Sequence, residues 1–173
     1  YVDMSSLELS DVDEMMEKFQ NLKGIIIDLR NYPKFIPYTL AGRFIKEKKE
    51  CIKIIEPDLL YPGKFVLRKI VELSHSKVYF NGVVYVLVDE NTQSRAEFSA
   101  MLFQTGNNVK TIGNQTSGAD GNVSTINFSS NYKSFISGTG IFYADGTETQ
   151  RKGLKIDIEV KTTIEGVQAG KDE

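Results

Sequence analysis

Cysteine occurs once, at Cys51, so no disulfide can close within the chain and no metal site built on several cysteines is possible. Charge of one sign is also missing. The 21 Lys+Arg against 23 Asp+Glu leave a formal net charge of −2, and neither sign forms a block, a balance that speaks against a nucleic-acid partner. No apolar run approaches the roughly 20 residues of a membrane-spanning helix, and no signal peptide opens the chain. There is no internal repeat, no low-complexity tract, no cluster of metal-ligating residues, no phosphate-cradling glycine loop and no basic stripe with interleaved aromatics. The expected metal and cofactor complement is therefore none. Histidine is found once, as His75, which leaves a single side chain that ordinarily titrates near neutrality.

What is present is the material of one globular domain, residues 1 to 173, with 40% hydrophobic residues and length enough for a sizeable core. The chain opens at Tyr1 without an initiator methionine and enters patterned sequence at once. We read it as the C-terminal piece of a larger protein. Val12, Met15, Met16, Phe19 and Leu22 recur at helical spacing behind Ser10, a candidate cap. Gly24 to Leu29 then reads as a strand buried on both faces. A moderate helical pattern runs through Leu40, Phe44 and Ile45, and Cys51 to Ile55 reads as a strand. Glu56 to Gly82 is expected to be extended structure and surface loop. Val83 to Val88 is an unbroken apolar strand. Phe98, Met101, Leu102 and Thr105 mark a helix face, and Val109 to Gly113 completes a βαβ unit. Residues 123 to 128, 133 to 137, 140 to 144 and 156 to 161 look like antiparallel pieces. The class is α/β with an antiparallel C-terminal portion.

Ser94 stands where the apolar strand has ended and the helix begins. Ser94-Arg95-Ala96-Glu97 fits the S-x-x-E capping box, a purely structural role. A hydroxyl at the C-terminal end of a parallel strand, at the mouth of a helix, also sits where α/β sheets place reactive groups, and amides at the helix start can hold an oxyanion. As a nucleophile it would need a neighbouring base, and none is adjacent in sequence.

The segments GIIIDLRNYP, VVYVLVDENTQSRAEFSAMLFQTGNNVKTIGNQTSGADGNV and FYADGTETQRKGLKIDIEV resemble, in order and spacing from about Gly24 to Val160, the tail-specific or C-terminal processing serine peptidases, the family that includes the tricorn core. The resemblance implies a crotonase/Clp-protease-like α/β core, a polypeptide substrate and a location in the periplasm or outside the cell. It implies Ser94 as nucleophile and the Arg95 amide as one oxyanion donor. A second donor in that family comes from a glycine pair after the DLRxNP strand end, where this chain has Lys34 and Phe35.

The pattern departs from the family at the base. Processing enzymes carry a lysine in the IGxxTxGK loop, and here Ala119 occupies that place, followed by Asp120. Asp120 would act as a base near neutrality only if burial poised it. Tricorn-type relatives instead use a histidine from a segment preceding the core. His75 does not match that location, so the resemblance implies a base outside this chain. Glu148, with Gln150 as the amide beside it, is the candidate acid to orient such a histidine, and His75 stays a candidate base. Three classes remain open: a serine peptidase core, a degenerate peptide- or ligand-binding module, and crotonase-like acyl-CoA chemistry. The isolated chain is expected to hydrolyse peptides weakly or not at all.

Overall fold

The computed structural model describes residues 1–172. In chain order the elements are β1 (Val2–Asp3), α1 (Val12–Phe19), β2 (Gly24–Asp28), α2 (Pro37–Ala41), β3 (Lys49–Pro57), β4 (Phe65–Leu73), β5 (Val83–Val88), α3 (Arg95–Phe103), β6 (Val109–Gly113), β7 (Val123–Ser129), β8 (Tyr132–Ser137), β9 (Gly140–Tyr143), β10 (Ile158–Glu159) and α4 (Ile164–Gln168). Five strands form a parallel sheet in the order β1-β2-β5-β6-β10. A second sheet, antiparallel, has the order β4-β3-β9, and β7 and β8 form a separate hairpin.

The parallel sheet is built on the most apolar strand. β5 lies at its centre, between β2 and β6, and Val84, Val86 and Val88 all point into the core. α3 is the crossover between β5 and β6, and its residues Ala100 to Phe103 are fully buried with Val12 and Met16 of α1 and Leu40 and Ala41 of α2. The other face of the sheet is less covered. Ile26 is 39% and Ile158 is 45% exposed. The run from Gly24 was expected to be buried on both faces, as parallel strands usually are, but helices cover β2 on the side of Ile25 and Ile27 only.

Three further expectations change, and one is made specific. Ser10 does not cap α1. Leu9–Asp11 is a turn of 3-10 helix, and the Ser10 hydroxyl bonds the Asp11 side chain at 3.1 Å, not a helix amide. α2 stops at Ala41, so Phe44 and Ile45 reach the core from the segment beyond the helix. Phe65–Leu73, in the region expected to be extended structure and surface loop, is a nine-residue strand antiparallel to β3. Its first six residues are all exposed, which removes the alternation that marks a half-buried strand. The last piece, β10, adds to the parallel sheet beside β6 instead of joining an antiparallel one.

Asp28 at the end of β2 is buried, with 2% exposure. Arg30 donates to it from Nη2 at 2.7 Å, and the Tyr1 hydroxyl does so at 2.5 Å. Burial acts to raise the Asp28 pKa, but the hydrogen bonds from Arg30 and Tyr1 outweigh it and hold the carboxyl below its ordinary range. Arg30 also pairs with Asp172.

β6 ends on Gly113, in register with Val88 of β5 and with φ of +136°. A Cβ there would collide with the Val88 carbonyl oxygen. Gly113→Ala is expected to destabilise the fold by about 3 kcal/mol or more, since strained backbone and a close clash add. Urea unfolding measures this, and a loss below about 0.5 kcal/mol, the level of an ordinary surface change, would contradict the geometry.

Candidate active site

The loop from β5 to α3 is folded by its own polar side chains. Asp89 Oδ1 accepts from the amides of Asn91 at 2.9 Å and Thr92 at 3.1 Å, which turns the chain as soon as the strand ends. Thr92 is buried and donates its hydroxyl to the Leu29 carbonyl at 3.2 Å, joining the ends of β5 and β2. Ser94 follows with φ 51° and ψ −118°. A non-glycine residue at positive φ is strained, by roughly 1–3 kcal/mol. A sharp strand-to-helix turn of this kind is how α/β hydrolases hold a serine oxygen clear of the backbone.

Both halves of the capping box are in place, but only the glutamate half closes to a normal hydrogen bond. Glu97 Oε2 accepts from the Ser94 amide at 3.3 Å, while the Ser94 hydroxyl stands by the N3 amide without a cap bond of normal geometry. The Arg95 amide is the first of the helix and finds no acceptor among the described residues, so a donor next to the serine remains free. The Arg95 guanidinium lies over the rings of Tyr32 and Phe35 and donates to the Pro33 carbonyl at 3.4 Å. These contacts bring the 32–35 segment to the start of α3.

Glu97 is the centre of the site, and the capping box accounts for only part of it. With no solvent exposure, its carboxylate also accepts from the Thr116 hydroxyl at 2.6 Å, the Gly118 amide at 2.8 Å and the Ala119 amide at 2.8 Å. Ser117 completes the join through its amide to the Thr92 carbonyl at 3.1 Å and its hydroxyl to the Glu90 carbonyl at 2.8 Å. Gly118 has to be glycine. Its φ is +61°, and a Cβ would come within 2.9 Å of three amides of the 151–153 turn. The threonine and second glycine of the IGxxTxG motif, Thr116 and Gly118, were visible in sequence as a pattern; that they bind Glu97 was not.

The other residues singled out from the sequence are placed as follows. Ala119, in the lysine position, is exposed beside this join. The Lys34 amide donates to the Met4 carbonyl at 3.2 Å and is therefore not available to an oxyanion, whereas the Phe35 amide has no acceptor among the described residues. This removes Lys34 as the second donor: without a glycine its amide is taken up by the neighbouring strand end. Glu148 is tied to Arg151 at 2.5 Å and Lys152 at 3.5 Å, and the hydrogen bond from Arg151 holds its carboxyl below the ordinary range. It lines a cleft with Asp120 and Gln150 that Ser94 does not line. Gln150 donates to the carbonyls of Asp120 at 2.7 Å and Thr139 at 2.9 Å, pinning the loop after Ala119.

His75 is exposed on the loop after β4. Its neighbour Ser76 bonds Gly42, and Leu73 just before it pairs with Lys49, whose ammonium reaches the Thr105 carbonyl and Asn107 beyond the C-terminal end of α3. Ser94 opens the opposite end of that helix. The structure does not bring His75 to Ser94.

Residues 38–160 match Peptidase family S41. The chain belongs to that family. Solved structures with the same fold include a candidate peptidase from Parabacteroides merdae, at 20% identity over 99% of this chain and 56% of that one, with a TM-score of 0.83. Mature CPAF complexed with lactacystin aligns at 13% identity over 96% of this chain and 47% of that one, TM-score 0.75. The photosystem II D1 C-terminal processing protease aligns at 16% identity over 96% and 43%, TM-score 0.67. This chain spans about half the length of those structures. No curated protein matches the sequence.

Two measurements test the geometry. Ser94→Gly should raise stability by about 1 kcal/mol in thermal or urea unfolding, because glycine accepts the positive φ and costs little at a helix N-cap. A loss of stability would mean that the serine hydroxyl is a working cap. The second concerns Asp120, which is buried and whose pKa is raised from 3.8 to about 7, by desolvation first and by the charge of Glu97 in addition. Between these two values the folded state holds a proton that the unfolded state has lost. Stability therefore falls as pH rises through this window, at about 1.4 kcal/mol per unit, and levels off above about 7. Asp120→Asn should flatten that slope in urea titrations from pH 4 to 8.

Proposed function

We propose that the chain is the core of a serine peptidase that cleaves polypeptide through an acyl-enzyme on Ser94. The observation that carries the reading is the backbone of Ser94, φ 51° and ψ −118°, held at the mouth of a helix whose first amide is free. Such strain has no structural purpose as a cap, since an ordinary N-cap residue is extended. In the proposed reaction Ser94 Oγ attacks the scissile carbonyl and its proton passes to a base. The negative charge developing on the carbonyl oxygen is met by the Arg95 amide, with Phe35 as the candidate second donor. The C–N bond then breaks as the amine takes up the proton, and water hydrolyses the ester left on Ser94.

The base is proposed to come from outside these 173 residues. His75 lies at the far end of α3, and Ala119 cannot accept a proton. The chain by itself should consequently react slowly, lacking on the order of the 10²–10⁴-fold that general-base catalysis contributes.

A second reading, a binding module that has kept the fold without the chemistry, is favoured by Ala119 in the lysine position and by the Lys34 amide bonded to Met4. One experiment separates the two. Incubated with a fluorophosphonate, the chain should label slowly at Ser94, faster when imidazole is added as an external base, and not at all as Ser94→Ala. Labelling that persists in Ser94→Ala, or that imidazole leaves absent in the wild-type chain, would overturn the peptidase reading.

A further inference from the structure

Beside the loop that Glu97 ties to Ser94 lies a cleft of about 520 Å³, lined by Ile55, Phe65, Asp120, Val123, Phe142 and Gln150 among others. Pockets of a few hundred Å³ are of the size that encloses a ligand or a long side chain. Its lining is uneven. Ile55, Phe65, Val123 and Phe142 supply apolar wall, whereas Asp120, only 6% exposed, carries an Oδ2 atom with no hydrogen-bond partner. Oδ1 is held by the Gly121 amide at 2.7 Å. A buried carboxylate oxygen without a donor is rare in folded proteins and costs stability unless something supplies one.

The charged groups near Asp120 do not supply it. Glu97 faces it from α3 and is itself an acid. Glu148 and Arg151, which line the same cleft, satisfy each other at 2.5 Å. Gln150 gives its amide to the Asp120 carbonyl oxygen, not to the carboxyl. The cleft thus has an acid in want of a donor, with apolar surface leading to it.

We infer that this cleft is a subsite for a lysine or arginine side chain of a bound polypeptide, its apolar stem against Ile55, Phe65 and Phe142 and its cationic head at Asp120. A cation on an apolar stem is the chemistry that fits both parts of the lining. The Gly118 and Ala119 amides bind the same carboxylate as the Ser94 amide, so the subsite is fixed relative to the serine. The inference rests on the proposed function in one respect, that the ligand is a polypeptide. Because burial lifts the Asp120 pKa to about 7, the carboxyl is charged above that pH and neutral below it. A cation should therefore be preferred most strongly in alkaline solution.

The test is fluorescence polarisation of two labelled alanine-rich peptides, one with a central arginine and one with citrulline, which has the same shape without the charge. At pH 8 the arginine peptide should bind about tenfold more tightly, a modest value for a desolvated ion pair. The preference should shrink to within about twofold at pH 5.5 and in Asp120→Asn. Glu17→Gln, at an exposed position of α1 away from the cleft, should leave it unchanged. Equal binding of the two peptides by the wild-type chain at pH 8, or a preference retained by Asp120→Asn, would overturn the inference. The fluorophosphonate result bears on Ser94 alone, so a failure there and a failure here are separate outcomes.

Discussion

One buried carboxylate holds together the two loops on which the site depends. Glu97 has no contact with solvent and accepts from the Ser94 amide, the Thr116 hydroxyl and the amides of Gly118 and Ala119. Taking an isolated carboxylate out of water costs several kcal/mol. Hydrogen bonds to a charged group each return about 1.5–3 kcal/mol, so four donors outweigh that penalty where one or two would not. The consequence is geometric: the start of α3 and the loop after β6 can only form together. The open backbone of Gly118, packed on the 151–153 turn, extends the same join to the C-terminal segment.

This join explains how strain can persist at Ser94. A serine at positive φ would relax if either neighbour were free to move. Here Thr92 is anchored to Leu29 on one side and Glu97 grips the amide on the other. The strain is sustained by interactions made elsewhere, the condition under which unusual backbone survives at functional sites. The price is a fold in which glycine is required at Gly118 and the carboxylate at Glu97.

The chemistry-bearing parts are unevenly distributed around this frame. A serine, a free helix-start amide and a rigid second loop are gathered at the C-terminal end of β5. The titratable groups that would complete an acyl-transfer site are not. His75 is held at the other end of α3 by the pairing of β4 with β3, Glu148 is occupied by Arg151, and Asp120 belongs to the neighbouring cleft. The exposed apolar residues of the hairpin, among them Phe128, Tyr132 and Phe135, show that packing within the described residues also leaves substantial surface uncovered.

Local pattern accounts for what the sequence determined by itself. The apolar run Val83 to Val88, the serine at the helix start and the helical spacing behind it specified β5, α3 and β6, because each depends on near neighbours and on burial of one continuous core. The motif order placed the family and made Ser94 the position of interest. Strands without a burial pattern, such as β4, and the parallel pairing of β10 could not be read this way, since exposure on both faces and long-range pairing leave no local periodicity. Only the tertiary structure decided that the Lys34 amide is spent on Met4, that Glu97 binds two loops at once, and that Asp120 lies buried without a full set of donors. Each of these depends on which polar groups meet across distant segments, and hydrogen-bond partners of that kind are fixed by the folded chain as a whole.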